Sequence, residues 1–239
     1  MIDWTPFAPT DNDVQESQRT ETAACVPFSA IHIIEMLVKQ RSGQEIDLSE
    51  RALAKFSGTL PTGNSFTNVF AALNNHPLLL EQDWPIPDDD YTWDEFYQPV
   101  PFNLTGSNFR FQMTPVPFSK IPEYLNYAPL WTEIRLSPTV THAVALLTPT
   151  TYFDSYGKLI KPLTQPIINC YLLTFMSNAK LVKKGNEFGI YLGAGANTPE
   201  LGEQVLINLC NNVGYPIPTL NNGANVDWAN LKPDITINS

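Results

Sequence analysis

Apolar residues recur along the first third of the chain at helical spacing. Phe28, Ile31, Ile34 and Val38 fall three and four residues apart and predict one stripe of a helix over about 25–41. Pro27 fits only the first turn of such a helix, where its missing N–H needs no partner, so the helix starts at about Cys25. Ser42-Gly43 ends it. Asp47-Leu48-Ser49-Glu50 announces a second helix, with Leu53 and Phe56 facing inward and Gly58 at its end. Pro61-Thr62-Gly63-Asn64-Ser65 reads as a loop, and its Ser65 caps a third helix that carries Val69, Phe70, Ala72 and Leu73. Past residue 109 the character changes to strands, expected at 109–114, 130–136, 142–147, 152–155 and 167–175, with a short helix near 121–125 and a turn at 148–151. Farther on, 188–192 reads as a strand, and Thr198-Pro199-Glu200 opens a helix bearing Leu201, Val205, Leu206 and Leu209. Helices followed by antiparallel strands make an α+β chain.

Composition narrows the partners. With 239 residues, 43% of them hydrophobic, the chain can bury one large core or two modest ones. A net charge of -10 argues against nucleic acid or an anionic membrane as a partner. No apolar run approaches the roughly 18 residues of a membrane span. The N-terminus lacks the basic and apolar segments of a secretory signal. Three widely spaced cysteines make no disulfide framework, which leads us to expect a reducing location, in cytoplasm or within a viral particle. Asp88-Asp89-Asp90 with Asp94-Glu95 lacks the spacing and central glycine of an EF-hand loop, so a solvated acidic loop is expected, with no metal and no cofactor.

The candidate chemistry begins at Cys25. At the mouth of its helix the thiol sits beside unpaired N–H groups and the positive end of the dipole, a setting that suits a thiolate nucleophile; the bland alternative is a buried, inert cysteine. A thiolate needs a base, and the chain has three histidines. His32 is seven residues along the same helix, about 10.5 Å away at 1.5 Å per residue. His76 lies in a helix-ending turn. His142 starts an apolar strand after polar residues and is the candidate base. Asp154 lies across the 148–151 turn from it, an opposite or diagonal neighbour in a tight hairpin.

The order of these features resembles that of the papain-like cysteine peptidases. Cys25-Val26-Pro27-Phe28-Ser29 is similar to the family's Cys-Trp-Ala-Phe-Ser, and Glu35 falls where its helix often has Glu. Leu48-Ser49-Glu50 followed by Leu53, Glu81-Gln82-Asp83-Trp84-Pro85, Thr141-His142-Ala143-Val144 and Asp154-Ser155-Tyr156-Gly157 match further segments in order. The family signature places His and Asn about 130–150 residues beyond the cysteine. Here His142 is 117 residues on (142 − 25) and Asp154 is 129 on (154 − 25), so the second half is short. Thr22, Phe56 and Gly63 stand where secreted members have disulfide cysteines. About 24 residues precede Cys25, as in a mature enzyme, which leads us to expect no inhibitory propeptide.

The resemblance implies a papain-like fold over 1–175, with a helical lobe (about 25–85), an antiparallel β lobe (about 105–175) and a cleft between them. Residues 176–239 form a C-terminal extension, expected to pack on the β lobe. The implied catalytic residues are Cys25, His142 and Asp154, with Asn169 as fallback orienter and Tyr156 shielding the pair from water. The oxyanion donors are the Cys25 N–H and Gln18, one residue farther from Cys25 than usual, with Gln15 or no glutamine as alternatives. Gly63, Asn64, Ser65, Val140 and Thr141 are placed along a polypeptide substrate. The competing reading is a catalytically silent module whose partners are protein components of a larger assembly.

Overall fold

The computed structural model describes residues 1–175 except 12, 44, 88–89, 102–103, 105 and 107–108, and farther on the backbone of three strands. The chain divides into two compact units, Met1–Phe175 and Met176–Ser239.

The first unit opens with helices α1 (Cys25–Ser42), α2 (Glu50–Phe56) and α3 (Phe66–Asn75), then the one-turn α4 (Trp93–Phe96). Strand β1 (Phe111–Pro115), the short α5 (Ile121–Tyr124) and strands β2 (Leu130–Ser137), β3 (Val140–Thr148), β4 (Thr151–Asp154), β5 (Leu159–Pro162) and β6 (Ile167–Phe175) follow. The six strands form one antiparallel sheet in the order β1-β6-β2-β3-β4-β5. Of these strands, β5 is not anticipated; it is short, has one polar residue in its four, Lys161, and ends on Pro162.

Local chemistry sets the helix boundaries. Gly43 takes the left-handed conformation (φ 75°), and its N–H donates to the Lys39 carbonyl at 2.8 Å, stopping α1. The Ser49 and Ser65 hydroxyls accept from Ala52 N and Asn68 N and start α2 and α3. The sequence pattern predicts a one-sided α1, but every residue from Val26 to Val38 is buried. The helix lies between the sheet, against β3 and β2, and the pair α2 and α3. Ile31, Ile34 and Met36 therefore share one core with Val69 and Leu73 of α3 and with Trp131, Val144 and Phe153 of the sheet. The same enclosure takes in His32 and Glu35, polar residues of the helix.

The proline-rich stretch after residue 84 is pinned by Arg51, whose guanidinium donates to the carbonyls of Pro85, Glu95 and Phe96 and lies over the Trp84 ring, 4.7 Å from its centroid. Asp90 pairs with Arg19 at 2.9 Å; Asp88 and Asp89 lie outside the described residues. Trp4 ties the N-terminal segment down by donating its indole N–H to Leu125 O at 2.8 Å.

In the second unit, β7 (Ala179–Lys184), β8 (Glu187–Leu192) and β9 (Ile235–Ile237) form an antiparallel sheet in the order β8-β7-β9. Of the three, only β8 was expected. The helix expected from Thr198 lies outside the described residues.

Candidate active site

Cys25 is the first residue of α1 and is half-buried. One turn on, the Ser29 hydroxyl lies 2.7 Å from the Cys25 carbonyl, to which it donates, and accepts from Trp131 Nε1 of β2 at 2.8 Å. The backbone of the candidate nucleophile is thereby tied to the sheet.

His142 sits near the start of β3 and is 4% exposed. In the hairpin, Ala145 pairs with Phe153, and continuing that register sets Asp154 opposite Val144 and diagonal to His142. His142 Nε2 lies 2.8 Å from Asp154 Oδ1. The same oxygen accepts from Tyr156 N at 3.1 Å, while Oδ2 accepts from Lys161 Nζ at 2.6 Å. Burial pushes the Asp154 carboxyl up, but the bonds from His142, Lys161 and the Tyr156 N–H outweigh it and hold the group below the usual range. Burial likewise opposes charge on His142, yet its hydrogen bond to Asp154 and the neighbouring Cys25 raise the imidazole to about 9. With Nε2 committed to Asp154, Nδ1 is the nitrogen left for the sulfur. The Tyr156 ring covers the imidazole, with centroids 5.0 Å apart and planes at 38°.

Of the two glutamines weighed, Gln15 is the one the fold brings to this place. It is buried, its Oε1 accepts from Ser155 Oγ at 2.7 Å, and its Nε2 donates to Tyr156 Oη at 3.1 Å and Glu21 Oε1 at 2.6 Å. Glu21 Oε2 accepts from Tyr156 Oη at 2.6 Å. Gln18 is exposed at a turn closed by Ser17 N to Thr20 O, where Glu16 and Glu21 bridge as antiparallel neighbours. That turn draws 16–21 into a loop, so Gln15 rather than Gln18 is the glutamine beside Ser155 and Tyr156.

Asn169 is also corrected as orienter. It is exposed on β6, where its Nδ2 donates to Glu133 Oε2 at 2.6 Å. Val140 and Thr141 are exposed at the start of β3. Gly63 takes φ 99°, and Asn64 Nδ2 donates to Ser57 O, Ser57 Oγ and Thr59 Oγ1, fixing the loop that ends on the Ser65 cap. The Tyr97 hydroxyl donates to Thr22 O at 2.7 Å beside the helix mouth, and burial raises its pKa. The other histidines are engaged in other contacts. His76 stacks on Phe56, with centroids 4.6 Å apart, and His32 is fully buried.

Two neighbours of the site went unread in the sequence. Lys161 lies on the unforeseen β5, opposite Tyr152. Glu21 looked like an ordinary polar residue of an extended N-terminal segment.

No protein-family model and no curated protein matches the sequence. Solved structures do. The Amb a 11 cysteine protease, a major ragweed pollen allergen, in its proform, is 16% identical with a TM-score of 0.53, over 72% of this chain and 64% of that one. The bromelain protease from Ananas comosus, in complex with the E64 inhibitor, is 15% identical with a TM-score of 0.50, over 73% of this chain and 98% of that one. The chain thus spans just under two thirds of the ragweed proform. It has the α+β fold of the papain-like cysteine proteases. These relatives in fold are plant proteases, neither cytoplasmic nor viral, which overturns the expected location in cytoplasm or a viral particle. The inference from cysteines fails for a physical reason: Cys25 and Cys170 are free, and Thr22, where a cysteine was expected, instead donates to the Gln15 carbonyl at 2.7 Å. A hydrogen bond can hold the segment, so scarce cysteines report packing rather than compartment.

Proposed function

We propose that the protein is a cysteine endopeptidase, with Cys25 as nucleophile, His142 as base and acid, and Asp154 as orienter. The observation that carries this reading is the His142–Asp154 pair, 2.8 Å apart, with Cys25 close enough to raise the same imidazole. The Cys25 sulfur attacks a peptide carbonyl, its proton residing on His142, and a C–S bond forms as the carbonyl becomes an oxyanion. His142 passes the proton to the leaving amine as the C–N bond breaks. Water then gives a proton to His142, attacks the thioester and releases the acid and the thiol. Asp154, held charged by Lys161 and the Tyr156 N–H, supports the imidazolium throughout.

The oxyanion donors in this reading are the Cys25 N–H and the Gln15 amide. Both Gln15 N–H groups are engaged, by Glu21 and Tyr156, so one must turn away from its partner to meet the oxyanion. That engagement is the observation favouring the silent-module alternative. The exposed Val140 and Thr141, and the loop at Gly63, Asn64 and Ser65, are proposed to flank an extended polypeptide substrate.

Alkylation of Cys25 across pH, read alongside peptide hydrolysis, tests the proposal. Rapid alkylation below neutral pH that vanishes in His142→Ala is expected. Slow labelling of ordinary thiol profile in both proteins, with no hydrolysis, overturns it. Gln15→Ala is expected to lower kcat about 10²-fold, the usual cost of one oxyanion donor. Gln18→Ala should leave it unchanged, and the reverse result would restore Gln18 to the site.

A further inference from the structure

The sequence leads us to expect no metal, but a group of acids beneath the N-terminal segment departs from that expectation. The chain around Leu48 runs antiparallel to that around Leu80, joined by Ser49 N to Leu79 O and Glu81 N to Asp47 O. This contact sets Glu50, at the start of α2, beside Glu81, and Asp13 reaches the same place from the N-terminal segment. An oxygen from each of these three carboxylates lies within 4.8 Å of the other two. Glu50 is 1% exposed and Glu81 7%. Asp13 Oδ2, Glu50 Oε2 and Glu81 Oε2 are buried and accept no hydrogen bond. Glu35 lies nearby, 3% exposed; its Oε1 accepts from Leu48 N at 2.9 Å, and its Oε2 has no partner.

No lysine or arginine among the described residues pairs with any of the four. Lys39 goes to Glu45 and Lys158 to Asp11, while Arg51 donates to backbone carbonyls, near enough to Glu81 for the two charges to act on each other without pairing. The base that faces the group is His32, with Nε2 3.3 Å from Glu50 Oε1, and burial holds its pKa to about 3, which leaves it neutral. Carboxylates buried without a paired counter-ion cost several kcal/mol each, so the group must hold either protons or a cation.

We propose that Asp13, Glu50 and Glu81 form a calcium-binding site. The donors are all hard oxygens, and a spacing of up to 4.8 Å is what two Ca–O bonds of about 2.3–2.6 Å span across one ion. Asp13 is half-buried, which leaves its side open for the waters that complete the shell. Bound calcium fastens the N-terminal segment to α2 two residues before Gln15. The site stands independently of any peptidase activity.

Sensitised terbium luminescence of the chelator-treated full chain tests this, because Trp84, three residues beyond Glu81, is a near donor. One terbium per chain is expected, displaced by calcium, and the melting temperature should rise by several degrees in millimolar calcium at about pH 8. Glu81→Gln and Glu50→Gln should weaken binding at least about tenfold, and in chelator they should melt no lower than the wild type, because a buried charge has gone. Asp13→Asn, on the half-buried segment, provides the same loss should either variant fail to fold. Absence of emission together with a calcium-independent melting temperature overturns the proposal and assigns protons to the cluster. Binding undiminished in all three variants also overturns it.

Discussion

Two buried histidines each face a carboxylate, and their chemistry diverges. His142 lies 2.8 Å from Asp154 and is raised to about 9; His32 lies 3.3 Å from Glu50 and is lowered to about 3. Neither depth nor the neighbouring acid alone accounts for this, since both rings are at most 4% exposed. The difference lies in what surrounds each carboxylate. Asp154 is kept ionised by Lys161 and the Tyr156 N–H. Glu50 is buried with Glu35, Asp13 and Glu81, and desolvation and like charge push its own pKa well up. His32 is then left edge-on between Phe28 and Phe153, with neither ring nitrogen hydrogen-bonded. A carboxylate makes an imidazolium only where something else keeps the carboxylate charged.

The hardest test of that comparison is His142→Ala, expected to lower kcat/KM for peptide hydrolysis by roughly 10⁴-fold, the scale of losing a triad member. A loss below tenfold would put His142 on the same footing as His32. Lys161→Met comes next. Without the cation, Asp154 protonates more readily, so the acid limb of the Cys25 alkylation profile should move to higher pH; an unmoved limb would remove Lys161 from the argument.

Stability carries the same signature. His142 is raised from 6.5 to about 9, so its contribution is fully present below 6.5 and is lost as pH rises through about 9. Asp154 is lowered, so its contribution is present above 3.8 and is lost as pH falls through its folded value. Denaturant melts between neutral pH and about pH 10 should show a decline on the order of 3 kcal/mol in the wild type and a flatter profile in His142→Ala. The smallest effect belongs to His32→Met. It removes two unpartnered buried nitrogens, so stability should hold or rise by about 1 kcal/mol, with hydrolysis unchanged. A marked loss would mean that His32 carries a bond the comparison denies it.

Much of this was legible in the chain. Pro27 fixed the start of α1 and set Cys25 at its mouth, and the short turn between β3 and β4 brought Asp154 within reach of His142. Spacing favours Gln18 over Gln15, because it cannot see the turn at Ser17–Thr20 that folds the segment back before it reaches Cys25. Lys161 was hidden because β5 alternates weakly and ends on proline. The buried acids were hidden for another reason. Glu50 sits where a helix start favours an acid on any surface, and Glu35 looks like the polar side of an amphipathic helix. Only the enclosure of α1 between sheet and helices turns such residues inward.

The Trp131 indole that holds Ser29, and through it the Cys25 carbonyl, has a mechanical consequence. The cysteine rides on α1 and the histidine on β3, but Trp131 lies on β2, directly opposite Ala145 of β3. Sulfur and imidazole therefore belong to one stiff body, and their separation is set at folding rather than at each encounter with a peptide. Peptide-bound and free crystals should superimpose at these two residues, with adjustment confined to the surrounding loops.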